Sequence, residues 1–102
     1  MSFELFYFDG CPSWELALKN LTQVLTEHGI SDKVEVVQVL DETEAKEFKF
    51  PGSPTIRFDG MDLWPVQQAE YHLDCRLYRT PQGLKGSPTL EMLRHRLQEL
   101  NL

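Results

Sequence analysis

The spacing of the apolar residues changes twice near the start of the chain, and this change limits the possible folds more than any other feature. Residues 3–8 form a dense aromatic and aliphatic run of strand length. From Pro12 to His28 the apolar residues recur in steps of three and four, which predicts an amphipathic helix. Residues 34–40 return to a β-branched, alternating pattern, so we expect a right-handed βαβ unit with parallel strands.

The second half of the chain predicts a short helix and two further strands. Asp41 and Glu44 have the spacing of a capping box, before a helix that runs to about Phe48. Residues 55–59 alternate and end in Asp-Gly, and residues 75–80 form the next clear strand pattern. We expect these two strands to pair antiparallel, with an extra turn of helix or a surface excursion between them.

A leucine stripe predicts a third helix near the end of the chain. Ser87 is placed to cap this helix and Pro88 to open it. The stripe consists of Leu90, Leu93, Leu97 and Leu100. The element order is β-α-β-α-β-β-α, which predicts an α/β fold in which residues 1–102 form one domain with a mixed four-stranded sheet flanked by helices.

Charge and hydropathy exclude several classes of partner. The chain carries 10 Lys and Arg residues against 16 Asp and Glu residues, a net charge of −6, so we expect no nucleic-acid partner. No apolar run is long enough to span a bilayer, so we expect no membrane partner. The first residues lack the pattern of an export signal, which favours a cytoplasmic location, where thiols stay reduced.

The segment YFDGCPSWE places a cysteine between the first strand and the first helix. Cys11 would lie where backbone N–H groups converge with the positive end of the helix dipole, an environment that favours a thiolate. A reactive thiol is one interpretation of Cys11. A buried, inert side chain at a strand–helix junction is the other.

Two motifs stand at element boundaries about 40 residues apart. A Cys-Pro pair opens the first helix, and a Pro-Gly-Ser-Pro-Thr segment leads into the third strand. The positions that matter in these motifs are Cys11, Pro12, Ser13, Trp14, Ser53, Pro54 and Thr55. With these motifs in this order, essentially the whole chain resembles the thioredoxin-like superfamily, and most of all its small proteins with a Cys-Pro-x-Trp segment.

The resemblance implies a role for each of these positions. Cys11 would be the catalytic nucleophile, and Pro54 would follow a cis peptide bond and lie against the Cys11 side chain. The active-site wall would consist of Pro12, Ser13, Trp14, Ser53, Pro54 and Thr55. No resident cofactor is expected. No metal site is expected either, because the three histidines have no partner at ligand spacing.

Trp14 occupies the position at which a dithiol enzyme carries its second, resolving cysteine. We therefore expect a single-cysteine thiol–disulfide redox protein, whose mixed disulfide at Cys11 is resolved by an external thiol such as glutathione. The expected partners are disulfide-containing proteins or low-molecular-weight thiols. Cys75 is not expected to act instead, because it would begin the fourth strand and lie about 20 Å from Cys11, at the opposite end of the sheet.

Two other functions stay open at this point. A non-catalytic thioredoxin-fold module would bind an extended segment of a partner by strand-like pairing beside Thr55. A soft-metal binder would use the Cys11 thiolate as its ligand. Titration of the thiol against pH separates the redox protein from the binding module, because the module needs no accessible thiolate.

Overall fold

The computed structural model describes residues 2–31, 33–68 and 70–102 and has a mixed α/β fold with a four-stranded sheet. The strands are β1 (Phe3–Tyr7), β2 (Val34–Gln38), β3 (Thr55–Phe58), β4 (Met61–Asp62), β5 (Tyr78–Thr80) and β6 (Gly83–Lys85). The helices are α1 (Trp14–Glu27), α2 (Glu42–Glu47) and α3 (Leu90–Glu99). β5 and β6 form a separate two-stranded sheet. The predicted α/β class, with its mixed four-stranded sheet, is confirmed.

β1 lies inside the sheet, whose strand order is β2-β1-β3-β4. It pairs in parallel with β2 from Phe3 opposite Val34 to Tyr7 opposite Gln38, as predicted. It pairs antiparallel with β3 on its other edge. Since β1 has neighbours on both edges and is covered on both faces, its run of apolar residues matches its position.

Each face of the sheet has its own hydrophobic core, because successive residues of a strand point to opposite faces. Leu5 faces the core that includes α1 and α3, whose other buried members are Phe3, Ala17, Leu21, Val24, Leu25, Ile56, Leu63, Leu93 and Leu97. Phe6 faces the core beneath α2, with Val39, Ala45 and Phe50. Leu93 and Leu97, the two central residues of the predicted leucine stripe, are thus buried against the sheet. Each buried side chain of this size contributes about 1.5–3 kcal/mol to folding.

β3 pairs with β4, and the predicted pairing of residues 55–59 with residues 75–80 is wrong. Asp59 and Gly60 have positive φ angles of 50° and 85°, the backbone of a two-residue hairpin turn. This turn folds the chain directly back onto β3, so the local hairpin takes the edge that the later segment was predicted to occupy. Of residues 75–80, the last three form β5 and pair with β6 instead.

α1 begins at Trp14, two residues later than predicted. Pro12 and Ser13 form a turn before it, and the Ser13 carbonyl accepts a hydrogen bond from the Ala17 N–H at 3.2 Å. Gly29 follows the helix with a φ of 70°, as predicted for the residue just past its end. The helix thus starts after the Cys-Pro pair, and Cys11 lies in the turn that leads into it.

The predicted cap of α2 at Asp41 is confirmed, whereas the second bond of the capping box goes to a different residue. The Asp41 carboxylate accepts a hydrogen bond from the Glu44 N–H at 2.8 Å, and the Glu44 carboxylate accepts one at 2.8 Å from the N–H of Leu40, one residue before the cap. The first bond satisfies a backbone donor that a helix start leaves free. A short helix therefore begins where the sequence predicts it.

The cap of α3 differs from the prediction. The Thr89 hydroxyl accepts a hydrogen bond from the Met92 N–H at 3.1 Å, so Thr89 caps the helix and Ser87 does not. Pro88 lies before the cap, and its carbonyl accepts a hydrogen bond from the Asn20 side chain at 3.3 Å. The helix thus starts two residues later than the sequence predicts, and Pro88 is bonded to α1 instead of opening α3.

Candidate thiol site

Cys11 lies in the turn that joins β1 to α1. Its N–H donates to the Phe8 carbonyl at 3.2 Å, which closes a tight turn. The residue is buried, with 2% of its surface exposed. Its Sγ–H donates to the carbonyl oxygen of Ser53 at 3.5 Å. Cys11 is therefore held between the end of β1 and the loop before β3.

The loop before β3 is buried and fixed by hydrogen bonds. The Ser53–Pro54 peptide bond is cis, which confirms the expectation from the resemblance. The Ser53 hydroxyl accepts a hydrogen bond from the Phe8 N–H at 3.2 Å, and the Thr55 hydroxyl donates to the Gly52 carbonyl at 2.6 Å. Through its hydroxyl and its carbonyl, Ser53 contacts the turn that carries Cys11, and Pro54 and Thr55 follow it into β3, where Thr55 pairs with Phe6.

The remaining predicted wall residues lie at the start of α1. Pro12 is exposed, and Ser13 and Trp14 are half-buried. Trp14 stacks on Tyr7, with ring centroids 4.0 Å apart and 20° between the ring planes. A Cβ atom at Gly86 would lie 2.2 Å from the Ser13 hydroxyl oxygen, so the loop before α3 packs closely on this turn. Trp14, which stands at the position expected for a resolving cysteine, thus packs on an aromatic ring.

Cys75 lies next to Cys11, and the predicted separation of the two cysteines is wrong. Cys75 forms an isolated parallel bridge with Ser53. The Ser53 N–H donates to the Asp74 carbonyl at 2.8 Å, and the Arg76 N–H donates to the Ser53 carbonyl at 2.9 Å. Interaction with the Cys11 thiol is the largest of the causes that raise the pKa of Cys75 to about 11, followed by burial and by the charge of Asp74.

The two cysteines are both free thiols, but they differ in exposure and in chemistry. Cys11 is buried, whereas Cys75 is exposed. Because the pKa of Cys75 is raised to about 11, this thiol keeps its proton at neutral pH. The site therefore holds two neighbouring thiols, a buried one at Cys11 and an accessible one at Cys75 that keeps its proton.

Arg76 anchors the segment that carries Cys75. The Arg76 side chain is buried, with 6% of its surface exposed, and its guanidinium pairs with the Asp62 carboxylate at 2.8 Å. It also donates to the Thr55 hydroxyl at 3.2 Å and to the Trp64 carbonyl. These contacts tie the segment to β3, to β4 and to the chain that follows β4.

Gly52 allows the two segments to lie this close together. Its φ of 129° is a conformation that side-chain-bearing residues rarely adopt. A Cβ atom at this position would lie 2.8 Å from the Arg76 Cβ and 3.1 Å from its Cα. The bridge between Ser53 and Cys75 therefore depends on a glycine one residue before it.

Arg76 and Asp62 are parts of the site that the sequence reasoning missed, and Cys75 is a part that it set aside. The signal that reveals them is the Asp-Gly pair before β4, because a two-residue turn there keeps residues 75–80 off the edge of β3. Without that pairing, the argument that placed the cysteines at opposite ends of the sheet no longer holds. The burial of Arg76 has no comparable signal in the sequence, since arginine is usually exposed.

Comparisons with protein-family models, with curated proteins and with solved structures found no match to this chain. Its function is therefore inferred from the chemistry of the site. Within residues 2–31, 33–68 and 70–102, no group of three or more His, Cys, Asp and Glu side chains is placed to hold a metal ion. In the same ranges, no helix is long and apolar enough to cross a membrane.

Proposed function

We propose that the protein is a thioredoxin-like thiol–disulfide exchange protein in which Cys11 is the attacking thiol. The observation that carries the proposal is the place of the Cys11 sulfur, 3.5 Å from the Ser53 carbonyl oxygen and in the turn that leads into α1. The free N–H groups and the dipole at a helix start stabilise negative charge in front of them. We therefore assign the attack on a disulfide to Cys11, because the thiolate is the nucleophile in such an exchange.

The proposed reaction is the reduction of a disulfide in two exchange steps. The Cys11 thiolate attacks one sulfur of the substrate, a new S–S bond forms to Cys11, and the other substrate sulfur leaves as a thiolate that takes up a proton from water. A second thiol then attacks the Cys11 sulfur and releases the first product. Because Trp14 stands in the resolving position, an external thiol such as glutathione is the simplest reagent for this second step.

The burial of Cys11 favours a second candidate, a non-catalytic binding module. With 2% of its surface exposed, Cys11 is reached only when the segment covering it moves. A partner segment that pairs with the backbone beside Thr55 faces the same obstacle, because the Ser53 N–H and carbonyl already bond to Asp74 and Arg76. Since both functions need this segment to move, burial does not exclude thiol exchange, and the neighbouring Cys75 thiol favours it.

Reaction with glutathione disulfide tests the proposal. The Cys75→Ser variant leaves Cys11 as the only thiol, and we expect one glutathione adduct on Cys11, measured by intact mass. The Cys11→Ser/Cys75→Ser variant should gain none. The matched control is the Cys75→Ser protein unfolded in urea, whose thiol has no helix start beside it. If the folded variant reacts no faster than the unfolded one, exchange at Cys11 is contradicted and the binding module is favoured.

A further inference from the structure

We propose that Cys75 is the resolving thiol of Cys11, so that the protein closes an internal Cys11–Cys75 disulfide rather than waiting for an external thiol. The inference rests on the proposed exchange at Cys11 and changes its second step. It is carried by the geometry of Ser53, because two cysteines 64 positions apart in the sequence meet at this one residue.

Ser53 sets the spacing between the two sulfur atoms. The Cys11 Sγ atom lies 3.5 Å from the Ser53 carbonyl oxygen, and Cys75 is the bridge partner of Ser53 on the neighbouring segment. Bridged backbones lie about 4.8 Å apart, and a disulfide forms between Cα atoms within about 7 Å. The Cys11 thiol is also the largest cause of the raised pKa of Cys75. Since both cysteines are held next to Ser53, closing the disulfide does not require the transport of a distant segment.

Residues 74–76 run beside Ser53 as an extended substrate segment would. The Asp74 carbonyl accepts a hydrogen bond from the Ser53 N–H at 2.8 Å, and the Arg76 N–H donates one to the Ser53 carbonyl at 2.9 Å. Cys75 lies between Asp74 and Arg76 in the sequence. The buried ion pair between Arg76 and Asp62 holds the segment in this position.

Whether Cys11 is a free thiol or part of a mixed disulfide affects how readily the Cys75 thiol ionises. Interaction with the Cys11 thiol is the largest cause that raises the pKa of Cys75, and charge on Cys11 adds to it. Once the Cys11 sulfur is bonded to a substrate sulfur, it has no charge and no free thiol. The pKa of Cys75 then falls toward its ordinary value, with burial and Asp74 still raising it. Cys75 therefore ionises more readily after the mixed disulfide has formed.

The complete reaction is a two-electron exchange between a dithiol and a disulfide. After the mixed disulfide has formed at Cys11, the Cys75 thiolate attacks the Cys11 sulfur, forms the Cys11–Cys75 bond and expels the remaining substrate sulfur as a thiolate. The protons of the two protein thiols end on the two substrate sulfur atoms. The substrate disulfide is reduced, the protein is oxidised, and a small dithiol or two molecules of a monothiol restore it.

Reaction with dithiobis(nitrobenzoate), an aromatic disulfide that releases a coloured thiolate, tests the inference. The reduced wild-type protein should release two coloured thiolates, keep no adduct, and lose the mass of two hydrogen atoms. The Cys75→Ser variant should release one and keep its adduct on Cys11. Without added thiol, the adduct should leave the wild-type protein at least about 100-fold faster than the variant, because an adjacent thiol has a high effective concentration.

A displaced thiol provides the matched control. Leu77→Cys in the Cys75→Ser background restores two cysteines, but the second is on an exposed residue two positions further along, so the adduct should persist. A persistent adduct on Cys11 of the wild-type protein overturns the resolving role and leaves exchange at Cys11 intact. Absence of any adduct on Cys11 in the Cys75→Ser variant overturns the proposed exchange itself, and with it the resolving role.

Discussion

Cys11 and Cys75 are the same type of side chain in two different surroundings. Cys11 is buried before a helix start, whereas Cys75 is exposed. Exposure alone would make Cys75 the more reactive thiol. Its pKa of about 11 opposes this, because the thiolate and not the thiol is the nucleophile. At the residue scale, exposure is therefore not enough to make Cys75 reactive at neutral pH.

Alkylation of Cys75 should be slow at neutral pH in spite of its exposure. With a pKa of about 11, roughly one Cys75 thiol in 10⁴ is ionised at pH 7, and the rate should rise about tenfold per pH unit below that pKa. The measurement is the rate of iodoacetamide labelling of each cysteine between about pH 6 and pH 10, resolved by peptide mass spectrometry.

The Cys11→Ala variant provides the control for this pH profile. It removes the largest cause of the raised pKa of Cys75, so the Cys75 labelling profile should shift to lower pH and its rate at pH 7 should increase. An unchanged profile in this variant would show that the two thiols do not interact.

At the scale of single elements, α2 and α3 begin where a side chain accepts a hydrogen bond from a free backbone N–H group. Asp41 lies directly before α2, and the sequence predicted that start correctly. Before α3 both Ser87 and Thr89 are suitable residue types, and Thr89 is the one that forms the cap. The residue between them, Pro88, bonds to Asn20 of α1, which is far away in the sequence.

Removal of the Thr89 hydroxyl should destabilise the protein more than removal of the Ser87 hydroxyl. Thr89→Ala loses the hydrogen bond from the Met92 N–H, which should lower the free energy of unfolding by about 1 kcal/mol. Ser87→Ala keeps this cap and should change the free energy by about 0.5 kcal/mol or less. Urea unfolding of both variants measures the difference. A larger loss for Ser87→Ala would place the cap where the sequence predicted it.

At the scale of the whole molecule, the candidate site is assembled from three segments that are distant in the sequence. Cys11 comes from the end of β1, Ser53 from the loop before β3, and Cys75 from the chain after β4. The buried pair of Arg76 and Asp62 joins the last of these segments to the sheet. The stability of the molecule and the chemistry of the site therefore depend on the same contacts.

Loss of the Asp62 carboxylate should destabilise the whole fold. Asp62→Ala leaves the buried Arg76 guanidinium without its charged partner, which should lower the free energy of unfolding by about 3–5 kcal/mol. The control is Glu99→Ala, which breaks a more exposed ion pair with Arg96 and should cost about 1 kcal/mol or less. Urea unfolding measures both changes.

The Asp62→Ala/Arg76→Met variant completes this test. It removes both charges and should recover part of the loss, because no unpaired charge stays buried. Equal losses for Asp62→Ala and Glu99→Ala would show that the Arg76 pair is not buried in solution. In the variants that remain folded, closure of the internal disulfide from the mixed disulfide at Cys11 should be slower, since the segment carrying Cys75 is less firmly held.

The elements near the start of the chain were predictable because local patterns determine them. The apolar run of β1, the helical period of α1 and the cap at Asp41 each act within a few residues, and the structure agrees with all three. The cis bond before Pro54, expected from the resemblance carried by the Cys-Pro and Ser-Pro-Thr motifs, is also present. Each of these features can be identified without knowing which segments meet in space.

The partner of Cys11 was not predictable in the same way. Either β4 or residues 75–80 could pair with the free edge of β3. β4 does so in the structure, and its connection is favoured because closing a two-residue turn costs less chain entropy than closing a long loop. The prediction chose the longer connection, although the Asp-Gly turn before β4 was visible. That one choice placed Cys75 at the wrong end of the sheet.

By itself, the sequence determined the α/β class, the parallel βαβ start and the position of Cys11 before the first helix, because hydrophobic period and backbone capping are local properties. Only the tertiary structure decided that Cys75 is the neighbour of Cys11. That outcome depends on a buried arginine, on a glycine at a φ of 129° and on a bridge between residues 53 and 75. These contacts form only when separate segments are packed together, so they cannot be predicted from a local sequence pattern.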